Sequence, residues 1–407
     1  MQKLFSSFIL LFLAFSLCCS LQFVGLVSGN FLPAPVPNHT IEITADGDVN
    51  GTDRIQRSGS LYTFTGDIVG SIVIFRNDIV VDGAGYTLEG NGDRTGIWLQ
   101  AKSNVEIKNL HIRKFTNGIE LTYGMSIDGC TNIKIVGNTI TYNEYGIRFW
   151  IFSNKNSVLG NTISYNTYGV YIGYSPNNIL RNNHMTQNEY NFWVSSELSS
   201  VMEVFVNDVD SSNTVDGKPV IYWVNQQDKT VPSNAGYVAL VNCTNITVQN
   251  LSLTNNSHGV LLVATGDSLI TGNYEGNNFF GIVFHGSSDH CFNNVVSKNN
   301  ITENAKDGIY SWGSHNTTIT GNSITDNQEE GVSFYESPNA YIVGNAITDS
   351  IDLRHSTNST VRQNNIEIPE HEIPDAIPEF PSWIILPLII TATLVIIICK
   401  RKLTKNR

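Results

Sequence analysis

A repeat of 22 or 23 residues runs through residues 136–195 and restricts the fold more than any other feature of this chain. Successive copies align residue by residue, with short β-rich segments and no helical periodicity between them. Units this short bury their apolar residues by stacking one coil on the next, which predicts a solenoid. The repeat has two columns of asparagine and one of tyrosine: Asn138, Asn161 and Asn183; Asn143, Asn166 and Asn188; Tyr145, Tyr168 and Tyr190.

A glycine followed by a β-branched residue marks most coils. The residues one and three positions after it are apolar, which predicts a strand buried on one face, with the residues two and four positions after it facing outward. A second apolar strand ends at each Asn-x-Ile element, so we expect parallel sheets with asparagine side chains bonded in ladders. The glycine anchors are Gly96, Gly118, Gly146, Gly169, Gly259, Gly281, Gly308 and Gly331, with Asn191 standing in for one of them.

Composition narrows the class of protein. With 407 residues and a period this short, we expect one elongated all-β domain of about a dozen coils over residues 66–368. The formal net charge of -12 argues against a nucleic-acid partner, because a phosphate binder needs clustered Lys and Arg.

Both ends of the chain predict export and anchoring. Residues 1–29 carry one early lysine before an uncharged run and read as a signal peptide, with an uncleaved N-terminal anchor as the alternative. A Pro-rich acidic linker at 369–381 precedes a transmembrane helix at 382–399 and a basic tail at 400–407. Because the basic residues follow the apolar segment, we expect a cytoplasmic C-terminus and repeats on the extracellular face of the membrane. A buried core strand is the alternative for 382–399.

Nine Asn-x-Ser/Thr sequons are compatible with a surface glycoprotein. We expect Asn250 and Asn300 to be buried in the asparagine columns. The sequons begin at Asn38, Asn50, Asn242, Asn245, Asn250, Asn255, Asn300, Asn316 and Asn358.

Three cysteines of the repeats, Cys130, Cys243 and Cys291, occupy similar places in different coils. Coils are separated by about 4.8 Å, so these residues lie too far apart for disulfides. We expect buried thiols that pack as small apolar groups.

Residues 30–65 are irregular and are expected to cap the open end of the solenoid. Asp46, Asp48 and Asn50 place oxygen ligands at alternate positions, as in a calcium loop. Arg57 stands where a bidentate glutamate would be required, so a solvated acidic turn is the alternative.

Residues 207–236 break the repeat. Departures from a repeat are where solenoids carry functional loops, so the charged residues of this insert are candidate site residues. They are Asp208, Asp210, Asp216 and Lys218.

Three sequence elements resemble the NosD-like family of right-handed parallel β-helix proteins: residues 79–88, residues 213–219 and the recurring Gly-Asn-x-Ile coils. The resemblance covers about residues 60–366 and implies a right-handed parallel β-helix and a periplasmic or surface location. For the founding members of the family it also implies assistance in loading copper into nitrous oxide reductase. The tail at 378–381, Pro-Glu-Phe-Pro, resembles sorting tails of archaeal surface proteins.

The family implies two chemical activities that the residues support poorly. Soft metals such as copper need clustered Cys, Met and His. The best local group is His285, His290 and Cys291, with His315 at a comparable place on the next coil, and ordinary loop histidines are the alternative. Hydrolysis needs two carboxyl groups about 5 to 9.5 Å apart, and the chain contains no Asp-Asp pair. We keep a polysaccharide lyase or hydrolase only as an alternative function.

An outward stripe of aromatic residues favours a binding protein. Aromatic rings spaced along a sheet stack on sugar rings, so we expect an extended glycan or a cell-envelope component as partner. A scaffold role, or the ordinary β-propensity of aromatic residues, is the alternative. The stripe comprises Trp98, Glu120, Arg148, Trp150, Tyr171, Trp193, Tyr310, Trp312 and Tyr335.

Overall fold

The computed structural model describes residues 40–124, 128–196, 202–286 and 291–366. These residues form an all-β parallel solenoid of about 13 turns, which confirms the predicted fold class. Among them, no helix has the length and apolar character needed to cross a membrane. The predicted signal peptide and transmembrane helix lie outside the described residues.

The first half of the solenoid contains 23 short strands. They are β1 (Thr40–Ile43), β2 (Val49–Asn50), β3 (Ile55–Ser58), β4 (Leu61–Phe64), β5 (Ile68–Val69), β6 (Ser71–Ile74), β7 (Ile79–Asp82), β8 (Thr87–Glu89), β9 (Thr95–Gln100), β10 (Val105–Lys108), β11 (His111–Arg113), β12 (Asn117–Thr122), β13 (Lys134–Val136), β14 (Thr139–Thr141), β15 (Tyr145–Trp150), β16 (Ser157–Leu159), β17 (Thr162–Ser164), β18 (Tyr168–Gly173), β19 (Ile179–Arg181), β20 (His184–Thr186), β21 (Tyr190–Ser195), β22 (Asp208–Val209) and β23 (Thr214–Val215).

A 3-10 helix, Met202–Phe205, precedes β22. The second half contains β24 (Lys218–Val224), β25 (Gln227–Thr230), β26 (Tyr237–Val241), β27 (Thr244–Gln249), β28 (Ser252–Thr254), β29 (His258–Val263), β30 (Leu269–Thr271), β31 (Tyr274–Gly276), β32 (Phe280–His285), β33 (Cys291–Phe292), β34 (Val295–Ser297), β35 (Asn300–Thr302), β36 (Ile309–Trp312), β37 (Ser314–His315), β38 (Thr318–Thr320), β39 (Ser323–Thr325), β40 (Val332–Tyr335), β41 (Tyr341–Val343), β42 (Ala346–Ile347), β43 (Ile351–Asp352), β44 (Thr360–Arg362) and β45 (Asn365–Ile366).

Each coil of the first half contributes one strand to each of three sheets. Sheet A has the order β2-β1-β6-β9-β12-β15-β18-β21, and sheet B has the order β22-β19-β16-β13-β10-β7-β4-β3. Sheet C continues into the second half and has 14 strands, β43-β40-β36-β32-β29-β26-β24-β23-β20-β17-β14-β11-β8-β5. Sheets D (β25-β27-β30-β34-β38-β41-β44) and E (β28-β31-β35-β39-β42-β45) complete the second half, beside the pair β33-β37.

The glycine anchors are explained by close contact between coils. A Cβ atom on Gly146 would lie 2.6 Å from the carbonyl oxygen of Gly169 on the next coil, and one on Gly169 would lie 2.4 Å from that of Asn191. Asn191 replaces glycine in β21, the last strand of sheet A. It has no further strand of that sheet beyond it in the described structure.

The asparagine columns form the predicted ladders. The amide nitrogen of Asn138 donates to Oδ1 of Asn161 at 3.0 Å, and that of Asn161 donates to Oδ1 of Asn183 at 3.0 Å. Asn273 begins a second ladder, donating to Oδ1 of Asn299 at 3.0 Å. Buried backbone polar groups at the coil corners are satisfied by these amides, since Asn161 also donates to the carbonyl oxygen of Ile135.

The prediction that Asn250 and Asn300 are buried in these ladders is wrong. Both side chains are exposed, because each lies one residue away from the ladder position, which Leu251 and Asn299 hold.

A two-residue hairpin reverses sheet C at the predicted insert. Asp216 and Gly217 have positive φ angles of 46° and 79°, as a type I′ Asp-Gly turn requires. They join β23 to β24, which is antiparallel to it, with Thr214 opposite Pro219. From β24 onward the strands of sheet C are again parallel to one another. Strands of sheet C therefore run in opposite directions before and after this turn.

The reversal gives the solenoid two apolar cores that share one wall. The inner face of β26, β29 and β32 contributes Leu262 and Phe284 to the second core. The opposite face of these strands contributes Leu261 and Tyr237 to the first core, where the rings of Tyr237 and Phe192 lie 5.2 Å apart. Sheet C is therefore buried on both faces where the two halves meet.

Two further predictions concern the cysteines and the N-terminal segment. Cys130, Cys243 and Cys291 are free and buried, as predicted. The described part of the N-terminal segment contains two antiparallel hairpins, β1-β2 and β3-β4, which lie at the ends of sheets A and B.

Candidate functional site

An aromatic groove of about 720 Å³ lies where the two halves of the solenoid meet. One wall is the outer face of sheet A at β15, β18 and β21, and the other is the outer face of sheet C at β29, β32 and β36. This volume lies within the range of about 300–1,000 Å³ that small-ligand sites occupy. The groove residues are Tyr145, Arg148, Trp150, Tyr168, Tyr171, Trp193, Val194, Ser195, Ser196, Phe205, His258, Leu261, Phe279, Phe280, Val283, His285, Tyr310 and Trp312.

The sheet A wall is organised around Arg148. Its guanidinium carbon lies 4.2 Å from the ring centre of Trp150, 4.8 Å from that of Tyr145 and 5.9 Å from that of Tyr171. Tyr145 in turn stacks on Tyr168 of the next coil at 4.4 Å. Cation–π attraction and stacking therefore hold these rings in fixed positions before any ligand arrives.

Glu120 supplies the counter-ion of Arg148 from the neighbouring strand. Its Oε1 lies 3.5 Å from Nη1 of Arg148, and its Oε2 accepts hydrogen bonds from Thr95 and Asn117 at 3.1 and 3.3 Å. Burial raises the pKa of Glu120, and the charge of Arg148 opposes that effect. The pair places a partly buried charge and its partner at the edge of the groove.

The sheet C wall carries His285 and Trp312 in register on adjacent strands, with ring centres 5.4 Å apart. Phe205 of the 3-10 helix packs on His285 at 4.7 Å. Burial lowers the pKa of His285 to about 4, so its ring is neutral at pH 7. This wall is therefore aromatic and uncharged.

His258 joins the two walls in a defined tautomer. Oγ of Ser257 donates to the carbonyl oxygen of Phe192 at 2.9 Å, so its contact of 2.8 Å with Nδ1 of His258 requires Nδ1 to donate. Nε2 of His258 is then a hydrogen-bond acceptor. Burial lowers the pKa of His258 to about 3, with a smaller contribution from His285, so the ring is neutral.

Trp193 lies at the base of the groove, 9% exposed. The centre of its ring lies 4.6 Å from that of Phe279 and 5.4 Å from that of Tyr168, whose plane is inclined to it by 72°. Its indole nitrogen is buried and has no hydrogen-bond partner among the described residues. A buried N–H without a partner costs about 1–3 kcal/mol, so a polar ligand atom or water that reached it would be stabilised.

The aromatic stripe expected from the sequence is divided between two sheets. Six of its members line the groove; of the others, Trp98 lies two strands before Arg148 in sheet A, and Tyr335 is exposed and contacts His355. Glu120 lies behind Arg148. The prediction of one flat stripe is wrong, because the hairpin at Asp216 changes which sheet carries the later coils. The six are Arg148, Trp150, Tyr171, Trp193, Tyr310 and Trp312.

The charged residues of the insert lie away from the groove. Asp208 and Asp210 form ion pairs with Arg181 at 2.6 and 3.1 Å. Asp216 accepts hydrogen bonds from the backbone of Gln187 and from three neighbouring side chains, and Lys218 donates to the carbonyl oxygen of Ser252. These residues stabilise the reversal of sheet C.

The candidate metal ligands do not come together in the described part of the chain. There, the one group of three His, Cys, Asp or Glu donors within 4.8 Å is Asp307, Glu329 and Glu330, which contains none of the residues proposed from the sequence. Asp48 lies 3.7 Å from Arg57, and Asp46 and Asn50 are exposed. His285 faces the groove, His315 lies in β37, and His290 lies outside the described residues.

Sequence reasoning missed much of the groove, including Tyr145, Tyr168, His258 and Phe280. A signal was present, because each of these residues immediately precedes a glycine anchor and is aromatic. Phe205 and Phe279 had no such signal, since their positions depend on how the two halves meet.

The fold and the groove define a right-handed parallel β-helix protein with a lateral aromatic site. Residues 71–235 match a family model described as a right handed beta helix region, and residues 217–368 match one described as periplasmic copper-binding protein (NosD). The described residues form a right-handed parallel β-solenoid, in agreement with both matches, and the similarity to NosD is confined to residues 217–368. The NosD match begins at the reversal of sheet C, and the two matches overlap over residues 217–235.

No curated protein matches this chain. Among solved structures, a mutant of the periplasmic alginate epimerase AlgG is similar, with 13% identity, a TM-score of 0.34, and coverage of 80% of this chain and 83% of that chain. The siphovirus 9NA tailspike receptor binding domain has 13% identity and a TM-score of 0.30, and the match covers 75% of this chain and 54% of that chain. Neither likeness says what this chain binds.

The copper named in the NosD description does not fit the described donors. The thiols of Cys130 and Cys291 are buried and donate to the carbonyl oxygens of Leu99 and Leu262. Burial raises their pKa values to about 11 and about 12, which disfavours the thiolates that bind soft metals.

Proposed function

We propose that the groove binds an extended glycan. The observation that supports this most strongly is the arrangement of Trp150, Tyr171 and Trp312 on two facing walls that enclose about 720 Å³. Sugar rings offer C–H faces to aromatic side chains and hydroxyls to polar ones, and ligand sites typically combine such surfaces. The rings are fixed by contacts with one another, which reduces the entropy lost on binding.

Binding without cleavage is part of the proposal. General acid–base hydrolysis requires two carboxyl groups flanking the scissile bond. Among the described residues that line the groove, none is Asp or Glu, and the nearby Glu120 is paired with Arg148. Release of reducing ends from a bound polysaccharide would favour the hydrolase alternative instead, and unsaturated ends would favour a lyase.

A glycan array probed with the full-length chain tests the proposal. The double change Trp150→Ala and Trp312→Ala removes one aromatic side chain from each wall and should abolish binding. Trp98→Ala is the matched control, because Trp98 lies in the same sheet but outside the groove. If no glycan binds while circular dichroism shows intact β-structure, the proposal fails and the envelope-scaffold function becomes the stronger one.

We also propose that the protein is held at the extracellular face of the membrane. The support is the sequence alone: an uncharged N-terminal run, the apolar segment 382–399 and the basic tail 400–407. Protease treatment of intact cells should remove the repeats and leave the tail. Protection of the repeats in intact cells would contradict this location.

A further inference from the structure

The described residues that line the groove carry almost no charge, although the chain has a net charge of -12. Among the described residues that line it, Arg148 is the one with a formal charge at neutral pH. Burial lowers the pKa values of His258 and His285 to about 3 and about 4, so both rings are neutral. Any preference for ligand charge therefore depends on Arg148 and its surroundings.

The charge of Arg148 is already matched by Glu120 at 3.5 Å. The Glu120 side chain is 14% exposed and is also fixed by Thr95 and Asn117. An anionic ligand that drew Arg148 away would leave this carboxylate without its counter-ion in a poorly hydrated place. Breaking such a pair is strongly unfavourable, so Arg148 is poorly suited to recruit a carboxylate or sulfate.

Carboxylates also act on the sheet A wall. Beside burial, the charges of Glu189 and Glu144 raise the pKa of Tyr168 on this wall. On the sheet C wall, burial and Asp307 raise the pKa of Tyr310, whereas the charge of Arg354 lowers it, so charges of both signs act there. A polyanion entering the groove would meet like charge at the sheet A wall, which lowers its association rate and its affinity.

The polar atoms of the groove suit hydroxyl groups. Nε2 of His258 is an acceptor, whereas the buried nitrogens of Trp193 (Nε1) and Arg148 (Nε) are donors without partners in the described structure. A sugar hydroxyl both donates and accepts, so it can satisfy either kind of group. A carboxylate only accepts and would be repelled by the lone pair of Nε2.

We infer that the groove selects neutral hexose polysaccharides over carboxylated or sulfated ones. This inference rests on the proposed function and names the ligand class of the same site. Arg148 then serves as a stacking platform and hydrogen-bond donor whose charge Glu120 balances.

Calorimetric titration with matched hexasaccharides tests the inference on the full-length chain. Each pair has one linkage and differs at C6 only: β-1,4-linked glucose against glucuronate, β-1,4-linked mannose against mannuronate, and α-1,4-linked galactose against galacturonate. We expect a neutral member to bind about tenfold or more tighter than its carboxylated counterpart. Its affinity should stay constant as NaCl rises from about 0.05 to about 0.5 M, because no ligand charge is screened.

Glu120→Gln tests the role of the counter-ion. The variant leaves Arg148 without a counter-ion, so the ratio of neutral to carboxylated affinity should fall by about tenfold. Glu106→Gln is the matched control: it removes the same charge from β10 in sheet B, where Glu106 pairs with Lys108, and should leave the ratio unchanged.

The outcomes separate the two proposals. Tighter binding of a carboxylated hexasaccharide than of its neutral counterpart would overturn the inference while leaving glycan binding in place. An unchanged ratio in folded Glu120→Gln would overturn the balancing role of Glu120. Failure of the folded chain to bind any glycan on the array or any hexasaccharide would refute the proposed function itself.

Discussion

Replacing Glu275 by leucine should stabilise this protein. Glu275 lies in β31 with Leu253 and Ile301 as its register partners on the adjacent coils. Its side chain is fully buried, and both carboxyl oxygens lack a hydrogen-bond partner among the described residues. The neighbouring coils carry aliphatic residues at this inward position, so a leucine of similar volume fits the same column.

The size of the effect follows from that environment. A buried polar group without a partner costs about 1–3 kcal/mol, and Glu275→Leu should recover this amount even when the carboxyl is protonated. Burial raises the pKa of Glu275 well above its usual value. Unfolding therefore releases a proton at pH values between the two pKa values, and the wild-type free energy of unfolding falls by about 1.4 kcal/mol per pH unit in that window.

The direction in which the stability advantage of Glu275→Leu changes with pH tests this explanation. An acid with a raised folded-state pKa stabilises least at high pH, so the advantage of Glu275→Leu should grow as pH rises above about 4.5. Other buried groups also titrate in this range, among them Asp307, whose pKa is raised to about 7 by burial and by neighbouring glutamates. Their contributions cancel when the free energy of unfolding of the wild type is subtracted from that of the variant. Urea denaturation followed by circular dichroism from about pH 4.5 to pH 8 provides this difference.

Glu275→Gln separates the two contributions. It keeps a polar group in the core but cannot ionise, so it should remove the pH dependence while recovering little stability at low pH. Equal stability and an equal pH slope in the wild type and Glu275→Leu would refute the reasoning, since they would mean that Glu275 has partners or water in solution.

Two further predictions address the interior of the solenoid. Asn161→Ala should lower the free energy of unfolding by about 2 kcal/mol or more in urea denaturation, because Asn138 and the carbonyl oxygen of Ile135 lose their partners. Thr162→Ala, at the exposed neighbouring position, is the control and should lower it by less than about 0.5 kcal/mol. Equal losses in the two variants would contradict the importance of the ladder. Cys130, Cys243 and Cys291 should resist a thiol reagent at about pH 8 until the protein is denatured, because burial raises their pKa values. Peptide mass spectrometry measures the labelling of each cysteine. Rapid labelling of Cys130 in the native protein would argue against a buried thiol.

Most of the fold could be predicted from the sequence because the repeat records contacts between coils. The glycine at position 146 is required by the backbone of the next coil, and the asparagine at position 161 bonds to its equivalents above and below. Such contacts recur in several successive coils, so a single chain shows them several times. Asn250 and Asn300 were misplaced because a composition rich in asparagine hides a shift of one residue.

The site was harder to predict because it depends on one turn that is not repeated along the chain. The Asp216-Gly217 turn is a recognisable hairpin signal, yet its consequence for sheet C is not periodic. It brings Trp312 and His285 opposite Trp150 and Arg148, which are more than a hundred residues away in sequence. Periodicity places a side chain on a face, but the angle between two solenoid halves is determined by packing at their junction.

A co-crystal structure with the best-binding hexasaccharide would test the central claim most directly. We predict density for sugar rings in van der Waals contact with Trp150 and Trp312, with hydroxyls near Nε2 of His258. A glycan bound elsewhere, for example against Trp98 on the open part of sheet A, with the groove empty, would contradict the assignment of the site.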